Sequence, residues 1–490
     1  MKGLHNKHEA TPLLQGLLAH AQRHPRQFHI PGHKVGRGMD GEFRSFLGPN
    51  ALSIDLINIG PLDDLHNPKT IIKQAQALAA DAFGADNTFL SVQGTSTAII
   101  GMIMAVCQPG DTIIVPRNIH RSILSALIFA GAKPVFLHPV MDKVIGVAHG
   151  ITTAQVEEAL ERHPKARAIV VINPTYFGMA ANLAGIVAAA HQRGVPVLVD
   201  EAHGVHIHFH EELPLSAMQA GADLAATSVH KMGGSLTQSS VLNQRGHLVS
   251  IRHVQNVMNM LMTTSTSYIL LASLDAARRR LALHGREIVS GAMAAAEQAR
   301  TEINTIPGLY CVGNEILNNP GVHAYDPTKL VVHVKELGVT GYDVEVWLRE
   351  NYRIEVELSD IYNILCLVTH ADDEEDLAVL VGALRRLSSE RFREGAALSP
   401  VEVQLPDIPT LALSPRDAYY ADTEEVMLAD AVGRVVAEWI MVYPPGIPIV
   451  LPGEIMSQNN LEYTLQNRAA GLPVIGLEDS TMQRIQVIKE

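Results

Sequence analysis

Lys231 lies in Ala-Thr-Ser-Val-His-Lys-Met-Gly-Gly (226–234), about thirty residues after Val-Asp-Glu-Ala-His-Gly (199–204). An Asp closes one apolar run and Ser-x-His-Lys closes the next. An enzyme that uses pyridoxal phosphate as an electron sink needs two such groups. A lysine amine holds the cofactor aldehyde as a Schiff base. A carboxylate opposite the pyridine nitrogen keeps that nitrogen protonated, so the ring draws electrons. Lys231 and Asp200 are the candidates. Taken singly, they also read as a solvated lysine and a helix cap, because loops after strands are polar in any fold. Together, in this order, they point to the cofactor.

The cofactor phosphate needs donors. Gln93-Gly94-Thr95-Ser96-Thr97 follows the apolar run Thr88–Val92 and opens a helix. Its amides, dipole and hydroxyls make an anion cradle; a plain N-cap is the simpler alternative. Thr95 and Ser96 are the candidates there, and Ser228 and His230 add contacts from the lysine loop. The hydroxyl-rich run Thr263–Ser267 suits the same phosphate, supplied from a partner subunit. His120, in Pro-Arg-Asn-Ile-His-Arg-Ser (116–122), follows another strand end, where a flat imidazole could stack on the cofactor ring. A surface histidine is the alternative. His203 is read as serving the cofactor. His206, His208 and His210 alternate, and an extended chain would put them on one face. Zinc takes imidazoles, but no Cys or carboxylate completes a set at the usual spacing, although Glu211 and Glu212 are near. No metal is expected.

These residues need a scaffold that brings strand ends together. Thr112–Pro116, Pro134–Leu137, Ala168–Asn173, Pro196–Asp200 and Leu224–Thr227 read as continuous apolar strands, the pattern of a sheet covered on both faces. Helical stretches near 71–83, 95–107, 119–131, 153–163 and 183–193 alternate with them. Gly110, Gly131, Gly194 and Gly221 precede the next strand, where helices stop. The expected class is α/β, a mostly parallel sheet with helices on both sides, which binds ligands at the carboxyl ends of its strands. After about residue 305 the pattern changes. Lys329–Lys335, Arg353–Leu358 and Ile361–Thr369 read as strands around a helix at 340–351, and a further helix follows Asp372–Asp376, whose charges suit a helix N-terminus. The expected organisation is an N-terminal segment (1–45), a large cofactor-binding domain (46–305), a smaller α+β domain (306–395) and a C-terminal segment (396–490). The stretch 395–415 reads as a linker.

Composition narrows the function. At 490 residues the chain is too long for a single core. With 47% apolar residues it is globular. A net charge of −13 argues against nucleic acid or an anionic membrane as main partner and is compatible with a cationic substrate. Cys107, Cys311 and Cys366 lie far apart, with neither disulfide nor metal spacing, which suits a reducing cytoplasm. The N-terminus lacks the apolar core of a signal peptide. The longest apolar stretch, Ala98–Cys107, is about half a membrane span.

With these residues in view, the chain resembles the bacterial Orn/Lys/Arg decarboxylases of PLP fold type I, the aspartate-aminotransferase-like fold. Phe-His-Ile-Pro-Gly-His-Lys (28–34), 93–97, 116–122, 200–204, 227–231 and Tyr-Pro-Pro-Gly-Ile-Pro…Pro-Gly-Glu (443–454) carry the resemblance nearly end to end. It is most similar to the short, biosynthetic arginine-decarboxylase branch of Bacillus-type bacteria, which makes agmatine for polyamine synthesis. The resemblance implies that Lys231 binds the cofactor, Asp200 pairs with the ring nitrogen and His120 stacks on the ring. It implies that Thr95, Ser96, Ser228 and His230 hold the phosphate, and that Glu454 is a substrate-side carboxylate. It also implies a homodimer or larger homo-oligomer. Longer relatives carry a wing domain and form decamers; this chain begins close to the cofactor domain, so the decamer is not carried over. Those relatives have Trp where this chain has His203, so their acid-stress contacts are not carried over either.

Three functions stay open: a basic amino-acid decarboxylase acting on arginine, lysine or ornithine; another fold-type-I enzyme, such as an aminotransferase or C–S lyase; and a non-catalytic relative. An aminotransferase should supply an Arg for the α-carboxylate, which a decarboxylase must release. Arg349 and Arg353 do not decide this from sequence. Retention of both Lys231 and Asp200 argues against the third.

Overall fold

The computed structural model describes residues 6–393, 395, 397–398, 405–442, 446–469 and 471–489. Tyr443–Pro445 of the C-terminal motif and part of the 395–415 linker lie outside the described residues. The chain divides into two compact units, Met1–Ala105 with Pro196–Glu287, and Val106–Val195 with Ile288–Glu490.

The first unit carries four strands in the order Asn87–Ser91, Ser240–Gln244, Leu224–Thr227, Val197–Asp200. The last two run parallel, with Asp200 beside Ala226. Ser240–Gln244 runs antiparallel to both neighbours, setting Ser91 against Ser240 and Thr227 against Val241. Val197–Asp200 and Leu224–Thr227 are buried throughout, as their unbroken apolar character requires. Helix Ile71–Phe83 buries Ile72, Ala75, Ala79 and Phe83 on one stripe and stops at Gly84, whose φ of 67° favours glycine.

In the second unit Ala168–Ile172, Thr112–Pro116 and Lys133–Leu137 lie side by side and parallel. Helices Arg121–Ala130, Thr153–Arg162 and Leu183–His191 alternate with them. Thr152 and Gln155 form a reciprocal capping box at the start of the second helix. A separate antiparallel sheet runs Leu358–Ser359, Asn363–Leu367, Lys329–His333, Tyr310–Cys311. Its core takes Leu330, Val332 and Ile364 from strands, and Val344, Leu348, Leu380 and Leu384 from helices Gly341–Tyr352 and Glu374–Arg391. It also takes Ala296, Ala299 and Ile303 from the end of the 36-residue helix Tyr268–Ile303. A C-terminal layer adds Ile440–Val442, Ile447–Val450 and Val474–Ile475, with Thr423–Met427 pairing Arg484–Ile488.

The alternating strands and helices read from periodicity fall within about two residues of their expected bounds. One reading is corrected. Arg353–Leu358 is not a strand: Arg353 ends helix Gly341–Tyr352 in a left-handed conformation (φ 56°), and only Leu358–Ser359 pairs. The strand Ser240–Gln244 went unread, because five residues after a polar Ser/Thr/Gln run carry too little periodicity.

Candidate active site

In the first unit, two adjacent parallel strands end at Asp200 and Thr227, and the chemistry gathers there. Ser228 caps the short helix Val229–Met232, which presents His230 and Lys231. Lys231 Nζ lies 2.7 Å from His203 Nε2. This contact joins two motifs that the sequence only placed near one another. Asp200 is 5% exposed and accepts from the Ala202 amide at 3.2 Å. Burial pushes its carboxyl up to about 6, against the pull of the Ala202 amide and the Lys231 charge.

The anion cradle is built from three buried hydroxyls. Thr95 Oγ1 hydrogen-bonds Ser228 Oγ, and meets Ser240 Oγ at 2.7 Å. Gly94 opens helix Gly94–Val106 with φ 78°, a turn that favours glycine. The first amides of that helix lack intrahelical acceptors and carry its positive dipole end. Ser96 is exposed on the same turn. His230 Nδ1 donates to the Ser239 carbonyl at 2.9 Å, so its Nε2 can donate to an anion only when the ring is protonated. Ser240 was missed by the sequence reading; its only signal is a hydroxyl opening an apolar run. The hydroxyl run 263–267 is tethered beside this cradle, with the Thr263 amide donating to Gln93 Oε1 at 2.5 Å.

These features fit pyridoxal phosphate: a lysine amine, a buried carboxyl that a pyridinium cation would restore to its charged form, and a hydroxyl-lined helix start for the phosphate. Among the described residues no group of three or more His, Cys, Asp or Glu is arranged to hold a metal. His208 Nδ1 bonds Ser216 Oγ and His210 Nδ1 accepts from the Glu212 amide.

Glu201, which the sequence reading passed over, sits beside Asp200 and ties three segments together. It accepts from the Ala217 amide at 2.6 Å and from Thr227 Oγ1 at 2.9 Å. Burial pushes its carboxyl up to about 7; the two donors pull it back, and the Asp200 charge adds to the rise. Both carboxyls thus bind protons more tightly in the folded state than in the unfolded one. The stability they lend is whole below the ordinary carboxyl range and is lost as pH rises through about 6 to 7, on the order of 3 kcal/mol for a shift of this size. Cofactor-free protein should therefore melt at lower temperature at about pH 8 than at about pH 5 on this account. Glu201→Gln can still accept from the Ala217 amide, with its NH2 donating to Thr227 Oγ1 in a reversed bond, and it removes one titration, so it should flatten that slope. A slope unchanged by the substitution, measured by thermal denaturation across that range, would exclude Glu201 as its source.

In the second unit, His120 caps helix Arg121–Ala130. Its Nδ1 accepts from the Ser122 amide at 3.2 Å, so the neutral ring carries its proton on Nε2. Glu454, expected on the substrate side, is held by a cation of its own unit. Its side chain is 1% exposed. Oε1 accepts from Arg117 Nη1 at 2.5 Å, and Oε2 from Arg117 Nη2 at 2.7 Å and the Leu451 amide at 2.8 Å. Both oxygens are thus engaged, because a charge buried this deeply is tolerated only when paired and hydrogen-bonded. Arg117 stood inside a motif already singled out. The overlooked signal was a cation at a buried strand end, which demands a buried partner.

The parallel strands, the lysine at a strand end and the hydroxyl-lined helix start define a fold-type-I PLP enzyme. The solved structures agree. A Francisella novicida lysine decarboxylase superposes with TM-score 0.84 at 22% identity, covering 98% of this chain and 81% of that one. A Sphingomonas wittichii serine palmitoyltransferase matches at 0.55 and 16%, covering 73% and 86%. The models of the Orn/Lys/Arg decarboxylase major and C-terminal domains match residues 11–376 and 402–479. The chain belongs to the Orn/Lys/Arg decarboxylase family. The arginine decarboxylase of Halalkalibacterium halodurans is 63% identical over 99% of both chains, and that of Bacillus subtilis 61% over the same shares.

Proposed function

We propose that this protein is a pyridoxal-phosphate-dependent carboxy-lyase that converts L-arginine to agmatine and CO2 for polyamine biosynthesis. The observation that carries the reading is identity above 60% over the whole chain with relatives named for that activity. Lys231, Asp200 and the hydroxyl cradle support it.

Bound here, pyridoxal phosphate supplies a conjugated ring that accepts the electron pair left on Cα as CO2 departs. Lys231 Nζ holds the cofactor, and His203 Nε2, 2.7 Å away, fixes that amine and can carry its proton. Asp200 would hold the ring nitrogen's proton, and His120 is the residue we assign to stack on the ring. Thr95, Ser96, Ser228 and His230 would hold the phosphate. Asp200, Ser228 and Thr95 are buried, and a site kept dry around them would favour loss of a charged carboxylate as neutral CO2. Lys231 Nζ is the group we assign to return a proton to Cα. Arg349, an aminotransferase-style candidate for the α-carboxylate, is instead paired with Glu345 and Glu355, which favours decarboxylation.

Lysine and ornithine are the rival substrates. CO2 release measured side by side should give arginine a kcat/KM at least about tenfold above either, because a planar guanidinium and an ammonium ask for different partners. A higher value for lysine would leave only the decarboxylase class standing. No helix among the described residues is long and apolar enough to cross a membrane. We place the enzyme in the cytoplasm as a homodimer or larger homo-oligomer, without nucleic-acid or membrane partners, a reading that the net charge of −13 supports.

A further inference from the structure

Two observations in the second unit converge on one helix. Before its N-terminus, Arg117 reaches from the end of strand Thr112–Pro116 into the C-terminal layer. Besides its two bonds to Glu454, its Nε donates to the Pro448 carbonyl at 2.9 Å and Nη2 to that of Ile449 at 3.3 Å. Its guanidinium lies 4.6 Å above the Phe136 ring, and its amide is held by the Leu137 carbonyl at 2.7 Å. All five guanidinium donors need partners once buried, and these are supplied mainly by one short segment, 448–454. Only Asn118 and the buried Ile119 separate this anchor from His120, whose carbonyl accepts from the Ile123 amide at 2.9 Å to begin the helix. At the other end, Arg416 Nε donates to the Ile128 carbonyl at 2.8 Å and its Nη2 to that of Phe129. A cation on the last carbonyls of a helix also meets its negative dipole end.

Both anchors belong to one piece of structure. The Ala412 and Leu413 amides donate to the Gly453 carbonyl at 2.9 and 3.0 Å, so residue 453 joins Glu454 to the segment leading into helix Pro415–Tyr420. Gly453 has φ 93°, and a Cβ there would come within 2.4 Å of the Leu413 carbonyl oxygen. The glycine of Pro-Gly-Glu thus permits the close approach, and its glutamate makes the ion pair.

We propose that the Pro-Gly-Glu segment and helix Pro415–Tyr420 form a clamp that grips the His120 helix at both ends, and that Arg117, Glu454 and Arg416 are positioning residues for the His120 ring. The catalytic consequence rests on the reading of His120 as the ring-stacking group; the clamp itself does not. Its direct measure is hydrogen–deuterium exchange of helix Arg121–Ala130 in cofactor-free protein. Arg416→Met, half-buried in the parent, and Glu454→Gln should each speed exchange there at least about tenfold while strand Leu224–Thr227 keeps its parental rate.

In the holoenzyme the same variants should keep full cofactor content, shift the visible circular dichroism of the bound cofactor, and lower kcat at least about tenfold with KM for arginine within about threefold. A double variant, Arg117→Met with Glu454→Leu, removes both buried charges and should melt near the parental temperature, since apolar replacements often tolerate such a swap. Its kcat should stay low. A stable double variant with parental kcat and exchange would overturn the clamp and leave the ion pair a stabilising element only. A KM raised about tenfold in Glu454→Gln, with kcat unchanged, would return Glu454 to the substrate. His120→Ala, assayed in parallel, separates the two claims. Parental kcat and dichroism there would sink the stacking reading while exchange still judges the clamp. An impaired His120→Ala beside parental clamp variants would sink the clamp alone.

Discussion

Lys231→Ala is expected to give a folded protein that no longer retains cofactor after borohydride reduction and turns over arginine at least about 10⁴-fold more slowly than the parent. The size follows from what is lost together. In the proposed reading Lys231 is the covalent anchor and the proton donor to Cα, and its Nζ lies 2.7 Å from His203 Nε2. Groups that act as a unit lose nearly the whole effect when one is removed. Stability should change little, because the residue is only half-buried at the end of a four-residue helix and leaves no core cavity. Mass spectrometry of the reduced, digested protein reads the result. A reducible cofactor adduct surviving on a different lysine would sink the assignment.

The positions of Lys231 and Asp200 at neighbouring strand ends were legible in the sequence because both close apolar runs of a parallel sheet; their roles are what we propose from types tied to one chemistry. Helix bounds were legible where a cap is local: Gly131 stops its helix with φ 71°, and Asp373 caps the acidic first turn it announces. What stayed hidden depends on long-range pairing. Arg117 and Glu454 lie 337 residues apart, and nothing in their spacing says that each neutralises the other. The substrate-side role of Glu454 came from the resemblance alone, and its ion pair with Arg117 becomes visible only in the fold. Glu201 was hidden by its neighbour, since two adjacent carboxylates on a strand end do not declare which one faces the ligand. Ser240 was unreadable because its strand joins the sheet antiparallel, against the βα alternation that organised the rest.

Asp200→Asn is expected to leave the cofactor bound and to lower kcat by about 10² to 10⁴. Asn is nearly isosteric and can still accept from the Ala202 amide through its oxygen, so the loop geometry persists. What it lacks is the charge. A buried carboxylate at this point resists ionisation, which is why burial pushes it up to about 6. A protonated ring nitrogen would offset that cost by giving the charge an opposite partner. The coupling is reciprocal: the carboxylate that gains from the pyridinium holds its proton in place. Without it, the nitrogen would lose its proton and the ring would accept electrons poorly, while the contacts we propose for Lys231, Thr95 and Ser228 would remain. The expected pattern is therefore parental cofactor stoichiometry, KM for arginine within about threefold, and a loss confined to kcat. Cofactor quantitation and steady-state kinetics on the same preparation provide the check. An Asn variant within a few-fold of parental kcat would show that Asp200 only shapes the loop.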